Sequence, residues 1–93
     1  MHTTLSVIVP CFNEEAVIQE FYKRTSHVLT SLEEVESYIV FVNDGSRDNT
    51  GLILDFIAGE DNKVRVVHFS RNFGHQAAVT AGLNNCKTDF AVI

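Results

Sequence analysis

The sequence has 93 residues, 45% of them hydrophobic, and a net charge of −5 from 12 acidic and 7 basic side chains. This length allows one domain at most, and the acidic balance argues against a nucleic-acid or anionic-membrane surface, which needs a basic patch. No apolar stretch approaches the roughly 20 residues of a membrane span, and the first four residues lack the basic start of a signal peptide. We therefore expect a cytoplasmic protein.

The first predicted unit is a buried strand followed by an amphipathic helix. Residues 5–9 are mostly apolar, and Pro10 closes the strand because proline cannot donate into a ladder. Asn13 is the predicted N-cap of the helix, with residues 14 and 15 as acids in its first turn. The helix runs to about Leu32. Its predicted apolar stripe consists of Ile18, Phe21, Thr25, Val28 and Leu32, thickened by Val17, Tyr22 and Leu29.

The second unit is a strand, an acidic turn and a further helix. Residues 38–42 are apolar and mostly β-branched or aromatic, which suits a strand buried on both faces. Residues 43–46 are short polar side chains with one glycine, a composition typical of a turn. Residues 48–50 supply N-cap candidates. The helix that follows is predicted to end near Gly59. One side of it is predicted to be apolar and to carry Leu52, Ile53, Phe56 and Ile57.

The rest of the chain repeats this alternation. Residues 64–69 form a third strand, residues 70–75 its loop, and residues 76–85 a helix whose small side chains let it lie close to a sheet. Residues 88–93 begin a fourth strand. Alternating strands and helices predict a parallel sheet with right-handed crossovers, here a three-layer α/β/α, Rossmann-like arrangement. Because the sequence stops inside an apolar strand, we expect it to be the N-terminal piece of a longer protein.

Three loops are predicted to meet at the carboxyl ends of the strands, where ligands bind in open α/β sheets: residues 10–15, 43–48 and 70–75. None is a G-x-G-x-x-G or a G-x-x-x-x-G-K-[ST] sequence, and the acids that open the first helix compete with a pyrophosphate for the positive helix end. A dinucleotide-binding fold and a P-loop NTPase are therefore disfavoured. A phospho-receiver domain is disfavoured because the third strand does not end in Asp.

The remaining chemistry is a site with acids in the first two loops and an Arg-Asn-x-Gly segment in the third. Carboxylates such as Asp44 and Glu14 can accept hydrogen bonds from a base N–H or a ribose hydroxyl, and Pro10 can flank a planar base. Asp44 alone could be a turn former, and Glu14 only a helix N-terminal acid. A diphosphate at such a site needs a divalent metal, and these residues contain no complete metal constellation.

Residues 9–15, 42–50 and 70–78, taken together, resemble the successive motifs of family 2 glycosyltransferases of GT-A fold. The resemblance is closest to the bacterial polyprenyl-phosphate (bactoprenol or dolichyl-phosphate type) sugar transferases. It covers essentially the whole chain, and the ordered spacing of three motifs makes it specific. It implies that residues 1–93 are the nucleotide-sugar-binding half of a GT-A domain, truncated in the fourth strand.

The resemblance implies seven nucleotide-sugar-binding residues: Pro10, Phe12 and Glu14 lining the nucleotide pocket, Asp44 on the base or ribose, and Arg71, Asn72 and Gly74 bordering the diphosphate. Asn43 stands where many relatives have an acid, so we give it no role that needs charge. The family holds Mg²⁺ or Mn²⁺ on an Asp-x-Asp motif after the fourth strand, which is expected beyond Ile93. No catalytic residue and no metal ligand is therefore expected within the chain, which should be inactive by itself.

For the whole protein, the resemblance implies transfer of a sugar from a UDP- or GDP-linked donor, with inversion at the anomeric carbon. The implied acceptor is a polyprenyl phosphate in cell-wall or surface polysaccharide synthesis, used at the cytoplasmic face of the inner membrane. The alternative is a non-catalytic α/β module that binds a nucleotide or a partner. An exposed apolar fourth strand would favour a homo-oligomer.

Overall fold

The computed structural model describes residues 3–93, which form a four-stranded parallel sheet with helices on both faces. The alternation of strands and helices expected from the sequence is confirmed. None of the helices between residues 3 and 93 combines the length and the apolar character that crossing a bilayer requires. The elements are β1 (Thr3–Cys11), α1 (Ile18–Thr30), β2 (Val35–Asn43), α2 (Thr50–Glu60), β3 (Val64–His68), α3 (His75–Asn84) and β4 (Phe90–Val92).

The strands lie in the order β3-β2-β1-β4. β1 pairs with β2 along its whole length, from Thr3 opposite Val35 to Cys11 opposite Asn43. β4 pairs with β1 only between residues 5 and 7. The first two crossovers move outward from β1 in one direction, and the third returns to its other side. The carboxyl ends of β1 and β4 therefore form a topological switch point, where open α/β sheets bind their ligands.

Side chains alternate between the two faces of the sheet and so build two separate cores. Ile39 and Phe41 of β2 pack with Ile18 of α1 and Leu54 of α2 on one face. The opposite core, beneath α3, consists of Ile8, Val40, Val42 and Ala78. Two helices on one face and one on the other give the expected three-layer arrangement.

The small residues of α3 bring this helix close to the sheet, as expected. Ala78 is fully buried, and Gly82 is buried against β1. A Cβ added to Gly82 would come closer than 3.0 Å to Cγ2 of Ile8. The absence of a side chain at Gly82 thus sets the distance between α3 and β1.

The start of α1 differs from the prediction. Pro10 lies inside β1 and does not close it. The pairing of β1 with β4 has already ended at Val7, so the absence of an N–H group on Pro10 removes no hydrogen bond between these strands. Asn13 is not the N-cap: its φ of 53° is left-handed, and its side chain accepts the Arg47 N–H instead of capping α1. The helix begins at Ile18 and ends at Thr30.

The predicted apolar stripes were only partly right. Of the stripe predicted for α1, Ile18 is buried, whereas Phe21 and Val28 are exposed, as is Leu32, which lies beyond the end of the helix. In α2, Leu54 and Ile57 are buried, whereas Leu52 and Phe56 are 70% and 62% exposed. Apolar side chains occur all round α2, so its sequence period could not select the face that meets β2 and β3. Gly59 lies within the last turn of α2, which ends at Glu60.

Candidate functional site at the carboxyl edge of the sheet

Three loops follow the carboxyl ends of β1, β2 and β3: the first loop (residues 12–17), the second loop (residues 44–49) and the third loop (residues 69–74). Because β2 lies between β1 and β3, the second loop lies between the other two. Hydrogen bonds run from it to both neighbours. The candidate site is therefore organised around the turn that follows β2.

Asp44 connects the second loop to both of its neighbours. Its Oδ1 accepts the Phe73 N–H (2.7 Å) and its Oδ2 accepts the Gly74 N–H (3.1 Å). Its own N–H donates to the Cys11 carbonyl (2.8 Å). The residue is only 5% exposed, so these bonds form where water competes weakly. Each carboxylate oxygen keeps a second lone pair, so Asp44 can still accept hydrogen bonds from a ligand.

Gly45 brings the second and third loops into backbone contact. Its φ of +69° lies in the left-handed region that favours glycine. A Cβ at this position would lie within 3.0 Å of backbone atoms of Arg71 and Asn72. Only glycine can satisfy both conditions, so this turn places the third loop directly against the second.

Side chains of the second loop and of Thr50, the first residue of α2, accept hydrogen bonds from three consecutive backbone N–H groups of the first loop. The bonds are Asn13 N–H to Ser46 Oγ (2.9 Å), Glu14 N–H to Thr50 Oγ1 (2.8 Å) and Glu15 N–H to Asp48 Oδ2 (3.2 Å). In return, the Arg47 N–H donates to Asn13 Oδ1 (2.8 Å). In a dinucleotide-binding fold, N–H groups at this position would donate to phosphate oxygens. Here they already donate to protein side chains.

Asp48 is the most heavily bonded carboxylate of this network. Its Oδ1 accepts both the hydroxyl (2.6 Å) and the N–H (2.9 Å) of Thr50, in addition to the bond from Glu15. Desolvation opposes its ionisation, but the bonds from Thr50 and Glu15 outweigh that and hold the pKa of Asp48 below its ordinary value of 3.8. Asp48 therefore bonds the first N–H of α2, as expected of a cap, while the Asn49 side chain makes no cap bond.

Asn43 and His68, which received no role from the sequence, form a second polar connection at this edge. Oδ1 of Asn43 accepts the Ser46 N–H (3.1 Å), so its amide NH₂ faces Nδ1 of His68 (3.1 Å). The His68 Nδ1 is therefore the acceptor, and Nε2–H donates to Oδ1 of Asp55 (2.7 Å). His68 thus has a structural role at this edge. Its side chain ties the end of β3 to α2 and to the second loop.

The exposed residues among the seven predicted ones lie on the outer rim of the loops. Phe12 is 42% exposed, and Glu14 is also exposed. In the third loop, the Arg71 guanidinium carbon lies 4.3 Å from the Phe73 ring centroid, a cation–π arrangement. Phe73 in turn meets Phe69 edge-on at 5.5 Å. This stack fixes a cation and an aromatic face at the rim, where a planar base or an anion could reach them.

The structure brings the seven predicted residues together to different degrees. Asp44 and Gly74 are hydrogen-bonded directly, and Arg71 and Asn72 approach the same turn through their backbone. Pro10, Phe12 and Glu14 lie on the β1 side and reach the second loop only through backbone bonds of the first loop. Within residues 3–93, no side-chain hydrogen bond or ion pair joins the rim of the first loop to that of the third.

Sequence reasoning missed the residues that hold this edge together. Ser46, Asp48 and Thr50 occupy every second position of the motif, and each accepts a hydrogen bond from the first loop. This spacing is visible in the sequence, but the choice between local capping and bonding to a remote loop is not. The fold decides it by placing the first loop alongside.

Cys11, the last residue of β1, is an unreactive thiol. It is buried beside the first loop, and desolvation together with the charge of Glu14 raises its pKa to about 12. Because the thiolate is the nucleophilic form, Cys11 stays protonated at neutral pH and acts as a small apolar side chain.

Within the described residues 3–93, no three His, Cys, Asp or Glu side chains are grouped so that they could hold a metal ion. Two carboxylates of this edge, Asp44 and Asp48, already accept backbone N–H groups. The described residues therefore do not fit a divalent cation.

The fold and the site define a class of protein: an α/β domain whose ligand site lies at the carboxyl switch point of a parallel sheet and carries no phosphate-binding glycine loop. Comparison with known sequences identifies the family. The profile of the family described as "Glycosyl transferase family 2" matches residues 6–93. The chain belongs to this family.

Several known proteins are similar in sequence to this chain along nearly its whole length. It is 41% identical over 92 residues, 99% of the chain, to the "Uncharacterized glycosyltransferase YkcC" of Bacillus subtilis. It is 42% identical over 88 residues, 95% of the chain, to the "Bactoprenol glucosyl transferase" of Shigella phage SfV. An "Undecaprenyl-phosphate 4-deoxy-4-formamido-L-arabinose transferase" of Pseudomonas fluorescens is 36% identical over 89 residues, again 95% of the chain. The matches span only 28%, 28% and 26% of these relatives, respectively.

Proposed function

We propose that residues 1–93 form the nucleotide-sugar-binding half of a GT-A glycosyltransferase that transfers a sugar, with inversion, to a polyprenyl phosphate. The observation that carries this proposal is the family match along the chain, combined with the meeting of its three motifs around Asp44. The relatives whose names specify bactoprenol and undecaprenyl phosphate support the choice of acceptor. The whole protein would work in cell-wall or surface polysaccharide synthesis at the cytoplasmic face of the inner membrane.

In this proposal the donor's nucleoside lies over the switch point between β1 and β4. Pro10 and Phe12 flank the base, and Glu14 and Asp44 accept hydrogen bonds from base or ribose donors. Phe12 is exposed and can stack without displacing a core contact. The buried Asp44 keeps its place because the third loop holds both of its oxygens.

The diphosphate of a UDP- or GDP-sugar is assigned to the third loop. Arg71 supplies a guanidinium that its stacking on Phe73 already orients, and Asn72 and Gly74 border the same segment. The first loop cannot take this role with its backbone, because its N–H groups already donate to Ser46, Thr50 and Asp48. A divalent cation, Mg²⁺ or Mn²⁺, belongs to the proposal only for the whole protein, with ligands outside the described residues.

The proposed acceptor needs little help from a general base. A phosphate monoester has a second pKa near 6, so its oxygen is largely ionised at neutral pH. Such a nucleophile can attack the anomeric carbon without first losing a proton to a protein carboxylate. What the protein must supply is the alignment of donor and acceptor and charge stabilisation at the leaving diphosphate.

The test is calorimetric titration of the 93-residue chain with UDP, GDP and their sugar conjugates, with and without Mn²⁺. We expect one base to be preferred and the affinity to change little with the metal. Arg71→Gln should weaken binding of the diphosphate by about tenfold. Its matched control is Arg47→Gln, which removes the same charge from a neighbouring exposed position and should leave binding unchanged.

A lack of binding by the chain, followed by equal activity of the wild type and Arg71→Gln in the whole protein, would contradict the assignment of the third loop. The non-catalytic alternative predicts that a whole protein carrying these motifs has no transferase activity with a polyprenyl phosphate. Self-association through β4 is the remaining expectation. Phe90 and Val92 on this edge strand are exposed, and analytical ultracentrifugation would measure it.

A further inference from the structure

A groove opens at the end of the sheet opposite the candidate site. It has a volume of about 250 Å³ and lies on the α3 face, between the amino ends of β1, β2 and β3 and the segment that joins α3 to β4. Ser6, Tyr38 and Val40 form its floor. No residue of the three loops at the carboxyl edge lines it, so it is separate from the proposed nucleotide site.

The charge of this groove is opposite to that of the chain. Lys63, Arg65 and Lys87 line it, and no Asp or Glu does. These are three of the seven basic residues of a chain with 12 acidic ones and a net charge of −5. Within residues 3–93, none of the three has a carboxylate within the 4.0 Å of an ion pair. Their charge is therefore available to a ligand.

The three cations reach the groove from different segments of the chain. Arg65 pairs with Val40, whose side chain belongs to the core beneath α3, so Arg65 projects from the same face. Lys63 is held at the wall by the Tyr38 ring, with Nζ 5.9 Å from the ring centroid. Lys87 approaches from the segment that follows α3.

Neighbouring carboxylates accept hydrogen bonds from hydroxyl and backbone N–H groups. Asp61 accepts the Tyr22 hydroxyl and the Lys63 N–H, and Asp89 accepts the Thr4 N–H. Glu36 accepts the Tyr38 hydroxyl, and this raises the pKa of Tyr38, so the phenol stays neutral. The groove also offers polar groups that suit phosphate oxygens, including the Ser6 and Thr88 oxygens, 2.9 Å apart.

We propose that this groove binds the phosphate group of a small phosphorylated solute, with Arg65 as a forked donor and Lys63 and Lys87 as point charges. Arg and Lys differ in this way because the guanidinium is planar and bidentate whereas the ammonium is compact. The volume is below the roughly 300–1,000 Å³ of pockets for drug-sized ligands, which favours a small phosphomonoester over a nucleotide. The concave shape favours a solute over a flat lipid surface.

The test is an NMR titration of the ¹⁵N-labelled 93-residue chain with inorganic phosphate and with glycerol 3-phosphate. We expect amide shifts around Lys63, Arg65 and Lys87, and we expect them to persist when UDP is present in excess. The double variant Arg65→Gln/Lys87→Gln should bind about tenfold more weakly or worse. The matched control Lys23→Gln/Arg24→Gln has the same net charge, changes only exposed residues of α1, and should bind as the wild type does.

Three results would overturn the proposal. The first is a set of shifts confined to the third loop around Arg71. The second is equal weakening in both double variants, which would mean that only net charge matters. The third is binding to vesicles that contain phosphatidylglycerol without binding to either soluble phosphate. Circular dichroism of each variant separates a lost site from a lost fold.

Discussion

At the carboxyl edge of the sheet, side chains of the second loop and of Thr50 accept hydrogen bonds from backbone N–H groups of the first and third loops. At the amino edge, three cations face an open groove, and none of them has a carboxylate partner within residues 3–93. These hydrogen bonds hold the three loops of the carboxyl edge together before any ligand binds. The positive charge of the amino edge is not neutralised in this way and can attract an anionic ligand. Variants at each edge should differ accordingly.

The largest effect is expected from Gly45→Ala. The new Cβ would collide with the backbone of Arg71 and Asn72 at a left-handed φ, so the free energy of unfolding should fall by about 3 kcal/mol or more. Urea denaturation measures it. Gly59→Ala is the control. Nothing lies within 4 Å of its added Cβ, and this helical substitution should stabilise by about 0.5 kcal/mol. Equal effects of both substitutions would contradict the close approach of the loops.

The next largest effect is expected from Asp44→Ala. Its free energy of unfolding should be about 2 kcal/mol lower than that of the wild type, because the Phe73 and Gly74 N–H groups lose a charged acceptor. Hydrogen exchange at these two amides should accelerate selectively. Asp55→Ala, which removes an exposed carboxylate bonded to His68, should cost less than about 1 kcal/mol. If the two amides exchange at the wild-type rate in Asp44→Ala, the connection of the second and third loops by Asp44 is wrong.

Thr50→Val is expected to have a smaller effect and to lower the free energy of unfolding by about 1–2 kcal/mol. The substitution keeps the shape of a fully buried side chain but removes the acceptor of the Glu14 N–H. Thr50→Ser keeps that acceptor, so exchange at the Glu14 amide should stay slow in Thr50→Ser and become fast in Thr50→Val. The same exchange rate in both variants would show that the hydroxyl does not hold the first loop.

Acidification should weaken the connection to the first loop through Asp48. Its pKa is lowered in the folded protein, so its contribution to stability is complete above its ordinary value of 3.8 and is lost as the pH falls through the lower folded value. Asp48→Asn cannot titrate, and its free energy of unfolding should depend less steeply on pH between about pH 5 and pH 2. Parallel profiles for the two proteins would contradict this assignment.

Chemical labelling of the two thiols compares the accessibility of the two edges and requires no substitution. Cys11 is buried with a pKa raised to about 12, whereas Cys86 is partly exposed and lines the groove. In the folded chain, N-ethylmaleimide at about pH 8 should label Cys86 alone, and Cys11 should react only in urea. Mass spectrometry counts the labels. Rapid double labelling of the native chain would mean that the carboxyl edge opens more readily than its hydrogen bonds suggest.

Much of the fold was predictable because its strands and helices differ in local pattern. The apolar run before Asp44 and the small residues of α3 indicated the buried strand and the close helix, and both are confirmed. The faces of α1 and α2 were less predictable. Leu52 and Leu54 are chemically alike, and only packing against β2 and β3 buries one and exposes the other.

By itself, the sequence determined the order of the elements, the family and the position of Asp44 at a strand end, because these follow from residue type and spacing along the chain. Only the tertiary structure decided the partners of Asp44, Ser46, Asp48 and Thr50, and the groove shared by Lys63, Arg65 and Lys87. These contacts join residues that are distant in sequence. Their partners are fixed by strand order and register, which bring remote loops within the 2.7–3.2 Å of a hydrogen bond.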